Sequence, residues 1–415
     1  MLYHRLQLKL RGLNFRESDV NFLSARVRSR VSVCRSAGYG LFWLDTVRAI
    51  DFRTQHLIFA LQSGDAAEVA VALAWEAVGL AVAGTRMKQR SDELIKRAER
   101  LANSIGNPQV TANVTVACGI ARNMLGDCTE AMDRIDRAIS IFQNECIGAF
   151  YEQTLAEGAA LWALSFAGKI SEIRHRIPTY FAEGQKRNDI HRLVHVANLV
   201  LLPLADDDPQ LAERELDRRL KLISEETVGL PHLLAYYGQM QIHLYRGDGA
   251  AALADDQRRF PAIAPTVNYF QTARLLRRYA LGCAHIVCTT QQPQLSKHLR
   301  MAERCVREIE RERAPLGNLF ALLLRTGIAS LEHKQAKSIA SKRSLIIANL
   351  QRACEQFESL NMPIYAAAAK WRLGEFVENS RGADWMKSAC DWMTSQRIIS
   401  PQRMTALFIP GDFTG

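Results

Sequence analysis

The strongest constraint on the fold is a regular spacing of helix-breaking residues along most of the chain. From about residue 46 onward, apolar residues recur at three- and four-residue steps, as they do on one face of an α-helix, with short turns between the runs. The turns recur about every 40 residues, a step that is typical of repeats built from two helices. They fall at Gly84, Gly126, Gly168, Asp208, Gly247, Pro293, His333 and Arg381. The spacing therefore predicts an all-α fold.

Two of the turns carry a finer signature, that of tetratricopeptide (TPR) repeats. Ala131 follows Gly126 by five positions, and Ala252 stands in the same place after Gly247. A small residue there lets the second helix of a pair approach the first closely. Because a single helix pair cannot bury its own apolar face, whereas stacked pairs can, we expect a right-handed, TPR-like α-solenoid of about eight pairs.

The predicted solenoid occupies residues 46–410, between a basic N-terminal connector (1–45) and a short C-terminal tail (411–415). A first helix is expected near 46–62 and the pairs near 66–104, 109–143, 150–184, 189–222, 230–260, 266–310, 314–360 and 363–396. In the connector, Leu6, Leu8 and Leu10 alternate with polar residues. A period of two predicts short strands or an extended segment there.

The positive charge of the chain is concentrated near the N-terminus. The sequence has 53 Lys and Arg against 43 Asp and Glu, a net charge of +10. Residues 1–53 hold ten basic and four acidic residues, and thus +6 of that total. Since the rest of the chain creates no strong electrostatic field of one sign, we expect no nucleic-acid partner. The connector is either a junction with a neighbouring segment or a basic docking arm.

A second basic group lies far along the chain, at Arg274, Arg277 and Arg278. The three arginines are predicted to share one face of a long helix. A solvated surface is the expected role of that face, and contact with a partner or a phosphate is the alternative.

A search for catalytic and metal-binding motifs points away from an enzyme. No phosphate-binding loop occurs, and Gly38-Tyr39-Gly40 lacks the third glycine of a dinucleotide-binding loop. His191 and His195 have the spacing of zinc ligands, but Arg192 stands where a metalloprotease would carry its Glu base. The acidic run 206–208 is expected to form a turn and start a helix. We therefore predict no catalytic residue, no metal and no cofactor.

Cysteine content and hydropathy indicate the cellular compartment of the protein. The chain has nine cysteines, an odd number, and no Cys-x-x-Cys pair, so neither a disulfide framework nor a zinc site is predicted. The longest apolar stretch, residues 69–84, contains Glu76 and is shorter than a membrane span. The N-terminus has no apolar core of a signal peptide. We expect a cytoplasmic protein without a membrane partner.

Several large aromatic residues fall on the predicted first helices of the pairs. First helices line the concave groove of TPR-like solenoids, so we expect most of these side chains to pack internally and one or two to face a ligand. The residues are Trp75, Trp162, Tyr236, Tyr237 and Trp371.

The chain also resembles a family, the C-terminal region of bacterial serine/threonine protein kinases that carry an AAA-type ATPase domain and a tetratricopeptide-like tail. The segments that carry the resemblance run nearly end to end. They are LRGLNFRE (10–17), DFRTQHL (51–57), ALQSGD (60–65), LYRGD (244–248), YAAAAKWRLGE (365–375) and PQRMT (401–405) with the proline and glycine at 410–411. The last two are the most specific.

The resemblance implies a regulatory role without catalysis. The kinase and ATPase residues of the family have no counterpart here, so the chain would be a stand-alone tail or part of a longer kinase. Our first hypothesis is a module that binds a protein partner, such as a kinase or ATPase, in bacterial kinase signalling. The alternative is a solenoid that senses a small-molecule effector for an ATPase-type signalling or transcription regulator.

Overall fold

The computed structural model describes residues 2–18, 23–189, 192, 200–221, 228–291, 295–336, 340–377 and 379–414. Within these ranges all regular structure is helical, which confirms the predicted all-α class. His191, His195 and Pro293, which the sequence singled out, lie outside the described residues.

The helices follow one another with short connections. The first nine are α1 (Leu2–Arg11), α2 (Ala25–Leu44), α3 (Thr46–Ser63), α4 (Ala66–Ala83), α5 (Lys88–Ile105), α6 (Pro108–Met124), α7 (Cys128–Glu145), α8 (Phe150–Ala167) and α9 (Ile170–Arg187). The others described are α10 (Leu201–Ala205), α11 (Pro209–Leu220), α12 (Leu230–Tyr245), α13 (Gly249–Tyr269), α14 (Gln271–Gln291), α15 (Leu295–Arg311), α16 (Pro315–Ala336), α17 (Ala340–Ser359), α18 (Pro363–Phe376), α19 (Ser380–Ser395) and α20 (Pro401–Phe408).

Neighbouring helices pack against each other in sequence order. Helix α2 packs on α3, α4 on α5 and α6 on α7, and later in the chain α15 to α19 each pack on the next. The predicted pairs near 66–104 and 109–143 correspond to α4–α5 and α6–α7. This sequential pairing is consistent with a helical repeat.

The Gly-Asp turns act as the sequence predicts. Gly64 ends α3 with a φ of 75°, and the Asp65 side chain accepts hydrogen bonds from the first backbone amides of α4. Gly126 has a φ of 87°, and Asp127 accepts from the amide of Glu130 at the start of α7. Glycine tolerates the left-handed conformation that ends a helix, and aspartate satisfies amides that the next helix leaves unpaired.

The predicted close approach at Ala131 is confirmed. A Cβ atom placed on Gly119 of α6 would lie 3.0 Å from the carbonyl oxygen of Ala131 and 2.7 Å from Cγ1 of Ile135, both on α7. Ala131 is fully buried. Small residues on both helices therefore allow their backbones to come together.

The helices form two compact units. Unit 1 comprises Met1–Ala160, Ser224–Leu233 and Ile263–Thr272, and its core includes Ile50, Leu57, Leu73 and Ile95. Unit 2 comprises Leu161–Ile223, Leu234–Ala262 and Ala273–Gly415, and its largest fully buried side chains are mostly aromatic. They include Tyr236, Phe320, Phe357, Phe376 and Phe413. The last of these belongs to the predicted tail.

The expectation of strands or extended chain in the first 45 residues is wrong. Residues 2–11 and 25–44 form α1 and α2, and both helices pack on α3 within unit 1. In α1, Leu8 is buried, whereas Leu6 and Leu10 are exposed. The alternating leucines therefore do not share one face, because helical rotation separates residues two apart by about 200°.

Two predicted breaks near the C-terminus are also displaced. His333 lies inside α16, which continues to Ala336, and Arg381 lies in the first turn of α19 rather than before it. The acidic run at 206–208 forms the expected turn, and the side chain of Asp208 accepts from the amide of Leu211 at the start of α11. Helix α20 was not predicted.

The basic face of α14 is not a solvated surface. Arg274 pairs with Glu312, Arg277 with Asp256 and Arg278 with Glu308, at distances of 2.6–2.9 Å. Each arginine is at most about a quarter exposed. The three charges are thus used within unit 2, in ion pairs with acids outside α14.

Helix α4 is apolar enough, and at 18 residues long enough, to pass a test for a membrane span among the described residues. However, 78% of the tested window is buried inside the protein. A helix that is apolar on all sides is also what the core of a globular unit requires.

Candidate functional site

The candidate site is a cavity of about 120 Å³ inside unit 2. It lies among α8, α12, α14, α18 and α20, which are brought together from distant parts of the sequence. Its wall is dominated by aromatic side chains, namely Trp162, Phe166, Tyr237, Tyr279, Tyr365 and Phe408.

The aromatic wall is held by ring contacts with the surrounding core. Tyr279 stacks on Phe320 with the ring centroids 4.6 Å apart, and Tyr365 stacks on Phe357 at 4.9 Å. Phe408 meets the Tyr365 ring edge-on at 4.8 Å. Such offset and edge-on contacts favour one arrangement of the rings, so the wall is pre-organised.

Two tyrosine hydroxyls of the wall are anchored to backbone carbonyls. Tyr237 donates to the carbonyl oxygen of Ala273, and Tyr279 donates to that of Phe408. Burial raises the pKa of both hydroxyls, which therefore stay protonated at neutral pH. Because their protons are already committed, these groups fix the wall and do not act as acids or bases.

A cysteine in the wall is equally unreactive. Cys283 is fully buried, and burial raises the pKa of its thiol far above neutrality. Since the thiolate is the nucleophilic form, Cys283 serves as a small apolar side chain here.

Two polar side chains line the cavity besides the tyrosines. Ser165 of α8 and Gln241 of α12 are both half-buried. Their hydroxyl and amide groups offer hydrogen bonds at the edge of an otherwise apolar site. The arrangement is suited to binding, because a few polar groups orient a ligand whose affinity comes from apolar contact.

The sequence identified part of this wall. Trp162 and Tyr237 belong to the five aromatic residues predicted on first helices, and both line the cavity. Of the others, Tyr236 is buried and donates to Asp256 at 2.5 Å, and Trp371 donates to Glu375 at 2.8 Å. Trp75 lies in unit 1.

Four further aromatic members of the wall were missed, namely Phe166, Tyr279, Tyr365 and Phe408. Nothing in their local sequence marks them. They become neighbours through the packing of α8, α14, α18 and α20.

Metal ligands do not gather at this or another described place. Among the residues that the structure describes, no group of three or more His, Cys, Asp or Glu side chains is arranged to hold a metal ion. Two histidines, His285 and His298, have their Nδ1 atoms 3.0 Å apart. Burial and the neighbouring His298 lower the pKa of His285 to about 4, so His285 is neutral at pH 7.

Comparison with known proteins yields no relative: no family model and no curated protein matches this chain. The resemblance to the tails of bacterial kinases therefore stays a prediction, which rests on the sequence segments that carry it.

Proposed function

We propose that the chain is a non-catalytic binding module that takes a small, ring-bearing ligand in the aromatic cavity of unit 2. The observation that supports this most directly is the wall itself. Tyr279 and Tyr365 are fixed by stacking, and the hydroxyls of Tyr237 and Tyr279 donate to backbone carbonyls. A pre-formed apolar site with few polar groups is the common form of a small-molecule pocket.

The size of the cavity limits the ligand. At about 120 Å³, it is similar to the apolar cavities of about 150 Å³ that hold one aromatic ring. Ser165 and Gln241 supply a donor and an acceptor for one polar substituent. The ligand class is therefore a single or compact fused ring with one polar group.

Indole is a suitable probe of this proposal. The thermal unfolding midpoint of the full chain should rise as indole is added, because a ligand that binds the folded state stabilises it by mass action. At a concentration of 100 times its dissociation constant, the expected stabilisation is about 2.7 kcal/mol.

Two matched variants separate the cavity from the rest of the surface. Ala280→Leu enlarges a residue of the cavity wall and should abolish the response, whereas Ala250→Leu makes the same change at an exposed position of α13 and should keep it. An equal response to indole in both variants, or no binding of any ring compound to the unmodified chain, would contradict the proposal.

Docking of a protein partner is the second candidate. The sequential packing of helix pairs supports it, since right-handed TPR-like solenoids, which we propose as the finer description of this fold, present long surfaces to peptides and helices. The segments that resemble the tails of bacterial kinases favour a kinase or ATPase as the partner. Recovery of such a protein with the tagged full chain, in an amount that indole does not change, would favour this function over ligand sensing.

A further inference from the structure

Unit 1 contains a buried arginine whose charged group has no hydrogen-bonding partner among the residues that the structure describes. Arg53 of α3 is 3% exposed. Its guanidinium carbon lies 4.6 Å from the ring centroid of Phe42 and 4.4 Å from that of Trp75. The aromatic rings thus hold the cation by their faces, in contacts that leave its N–H groups unused.

Four buried donors at this place are unsatisfied. In the described part of the chain, Nε, Nη1 and Nη2 of Arg53 make no hydrogen bond, and neither does Nε1 of the adjoining Trp75. Buried polar groups in folded proteins are nearly always paired. A cluster of unpaired donors calls for an acceptor, and for a negatively charged one where a guanidinium is present.

The nearest buried acid does not supply that acceptor. Glu76 of α4 accepts from the hydroxyl of Thr54 at 2.9 Å and lies beyond ion-pair distance of Arg53 in the part of the chain that the structure describes. Burial raises the pKa of Glu76, which favours its neutral form, and lowers that of Arg53 only to about 10. At neutral pH the guanidinium therefore keeps its charge.

Two other arginines held by aromatic rings do have hydrogen-bonding partners. Arg277 lies 3.5 Å from the centroid of Phe260 and forms two 2.7 Å hydrogen bonds with Asp256. Arg372 lies 4.8 Å from that of Phe413 and donates to Glu375 at 2.6 Å. An aromatic contact thus does not by itself deprive an arginine of partners, and Arg53 differs from both.

We propose that Arg53, assisted by the indole N–H of Trp75, is a binding site for a small oxyanion, either a carboxylate or a phosphate. The planar guanidinium presents paired N–H groups that match the two oxygens of such a group. The site lies in unit 1 and is independent of the ring-binding cavity proposed for unit 2.

The glycines of α2 take a role in this site. A Cβ atom on Gly38 would lie 3.0 Å from Cγ of Arg53, so the glycine lets α2 lie against the arginine stem. Gly40, two residues on, is exposed and would meet nothing within 4 Å. Two glycines lower the helix propensity of this part of α2.

The test is a thermal-shift titration of the full chain with sodium acetate and with sodium phosphate, at an ionic strength held constant with sodium chloride. We expect a saturable rise of the unfolding midpoint with acetate, with phosphate or with both, and the effective salt identifies the oxyanion class. Arg53→Met should abolish the rise. Arg372→Met removes an arginine that already has partners and should keep it.

Trp75→Phe gives a second measure, because it removes the indole donor and retains an aromatic ring. It should weaken anion binding several-fold without abolishing it, and it serves in place of Arg53→Met if that variant does not fold. Absence of a saturable response to either salt in the unmodified chain would overturn the proposal. So would a response that Arg53→Met, or in its place Trp75→Phe, leaves unchanged.

Discussion

Units 1 and 2 each bury an arginine against aromatic rings, yet they treat its charge in opposite ways. Arg372 in unit 2 is 7% exposed and donates to the carbonyl of Ile409 and the carboxylate of Glu375. Arg53 in unit 1 is 3% exposed and donates to no described residue. An unsatisfied buried charge costs at least about 1–3 kcal/mol, and a cation–π contact returns about 2 kcal/mol. The difference separates a structural arginine from one available to a ligand.

The largest effect is expected from Arg372→Met. The variant leaves Glu375, 15% exposed at its side chain, without its cation and the carbonyl of Ile409 without its donor. Removal of one partner of a buried pair costs about 3–5 kcal/mol, to be measured as a fall in the free energy of unfolding by urea. Arg381→Met is the control, because Arg381 is exposed above Trp385 and should cost less than about 1 kcal/mol.

The outcome for Arg53→Met completes this comparison. In buffer without oxyanions, we expect it to be at least as stable as the unmodified chain, because an unpaired buried charge is replaced by an apolar side chain. A loss as large as that of Arg372→Met would show that Arg53 has a structural partner after all.

An intermediate effect is expected from Gly38→Ala. The added methyl group meets the Arg53 stem at 3.0 Å, so overpacking should cost about 1–3 kcal/mol in the free energy of unfolding by urea. Gly40→Ala, on the same helix with open space around it, should instead gain about 0.5–1 kcal/mol. If both substitutions stabilise the protein, α2 does not lie tightly against Arg53.

The smallest effect concerns pH and the two glutamates of α4. Burial raises the pKa of Glu76 in the folded state above its usual 4.5, so the folded protein binds this proton more tightly than the unfolded chain does. The folded protein therefore loses stability as pH rises from 4.5 through the folded-state pKa of Glu76. Glu76→Gln removes the loss. Relative to the unmodified chain, it should therefore be more stable at about pH 8 than at about pH 4, by about 1.4 kcal/mol per unit of pKa shift.

Glu68 provides the control of opposite sign. Burial alone would raise its pKa, but the hydrogen bond with His56 and the Arg35 guanidinium together lower it. Glu68 therefore stabilises the protein at neutral pH, and this contribution is lost as pH falls through its folded pKa. Glu68→Gln should be less stable than the unmodified chain at about pH 8, and urea midpoints at both pH values would measure both changes.

Prediction from the sequence succeeded where the physics is local. The glycines and aspartates at 64–65 and 126–127 end and cap helices through their own backbone conformation and side chains, so the turns and the helix pairs could be located. It failed for the first 45 residues. There, an apolar pattern as short as the three leucines of α1 is compatible with a strand as well as with a helix. The packing of this segment on α3 decides in favour of the helix.

The two candidate sites show the same difference between what local sequence predicts and what long-range packing decides. Trp162 and Tyr237 were marked by their helices, but Tyr279, Tyr365 and Phe408 join them through contacts between helices far apart in the sequence. Arg53 was simply one of ten basic residues near the N-terminus. A sequence records how many arginines a segment has, and their burial depends on which helices pack against them.

The sequence by itself determined the all-α class, the step of the helix pairs and most helix ends, because these follow from residue periodicity and from capping within a few residues. Tertiary structure alone decided that the rings of five helices enclose a cavity, that the arginines of α14 pair with acids and that Arg53 lacks a hydrogen-bonding partner within the described ranges. These are properties of side chains far apart in the chain, and their distances are set by packing.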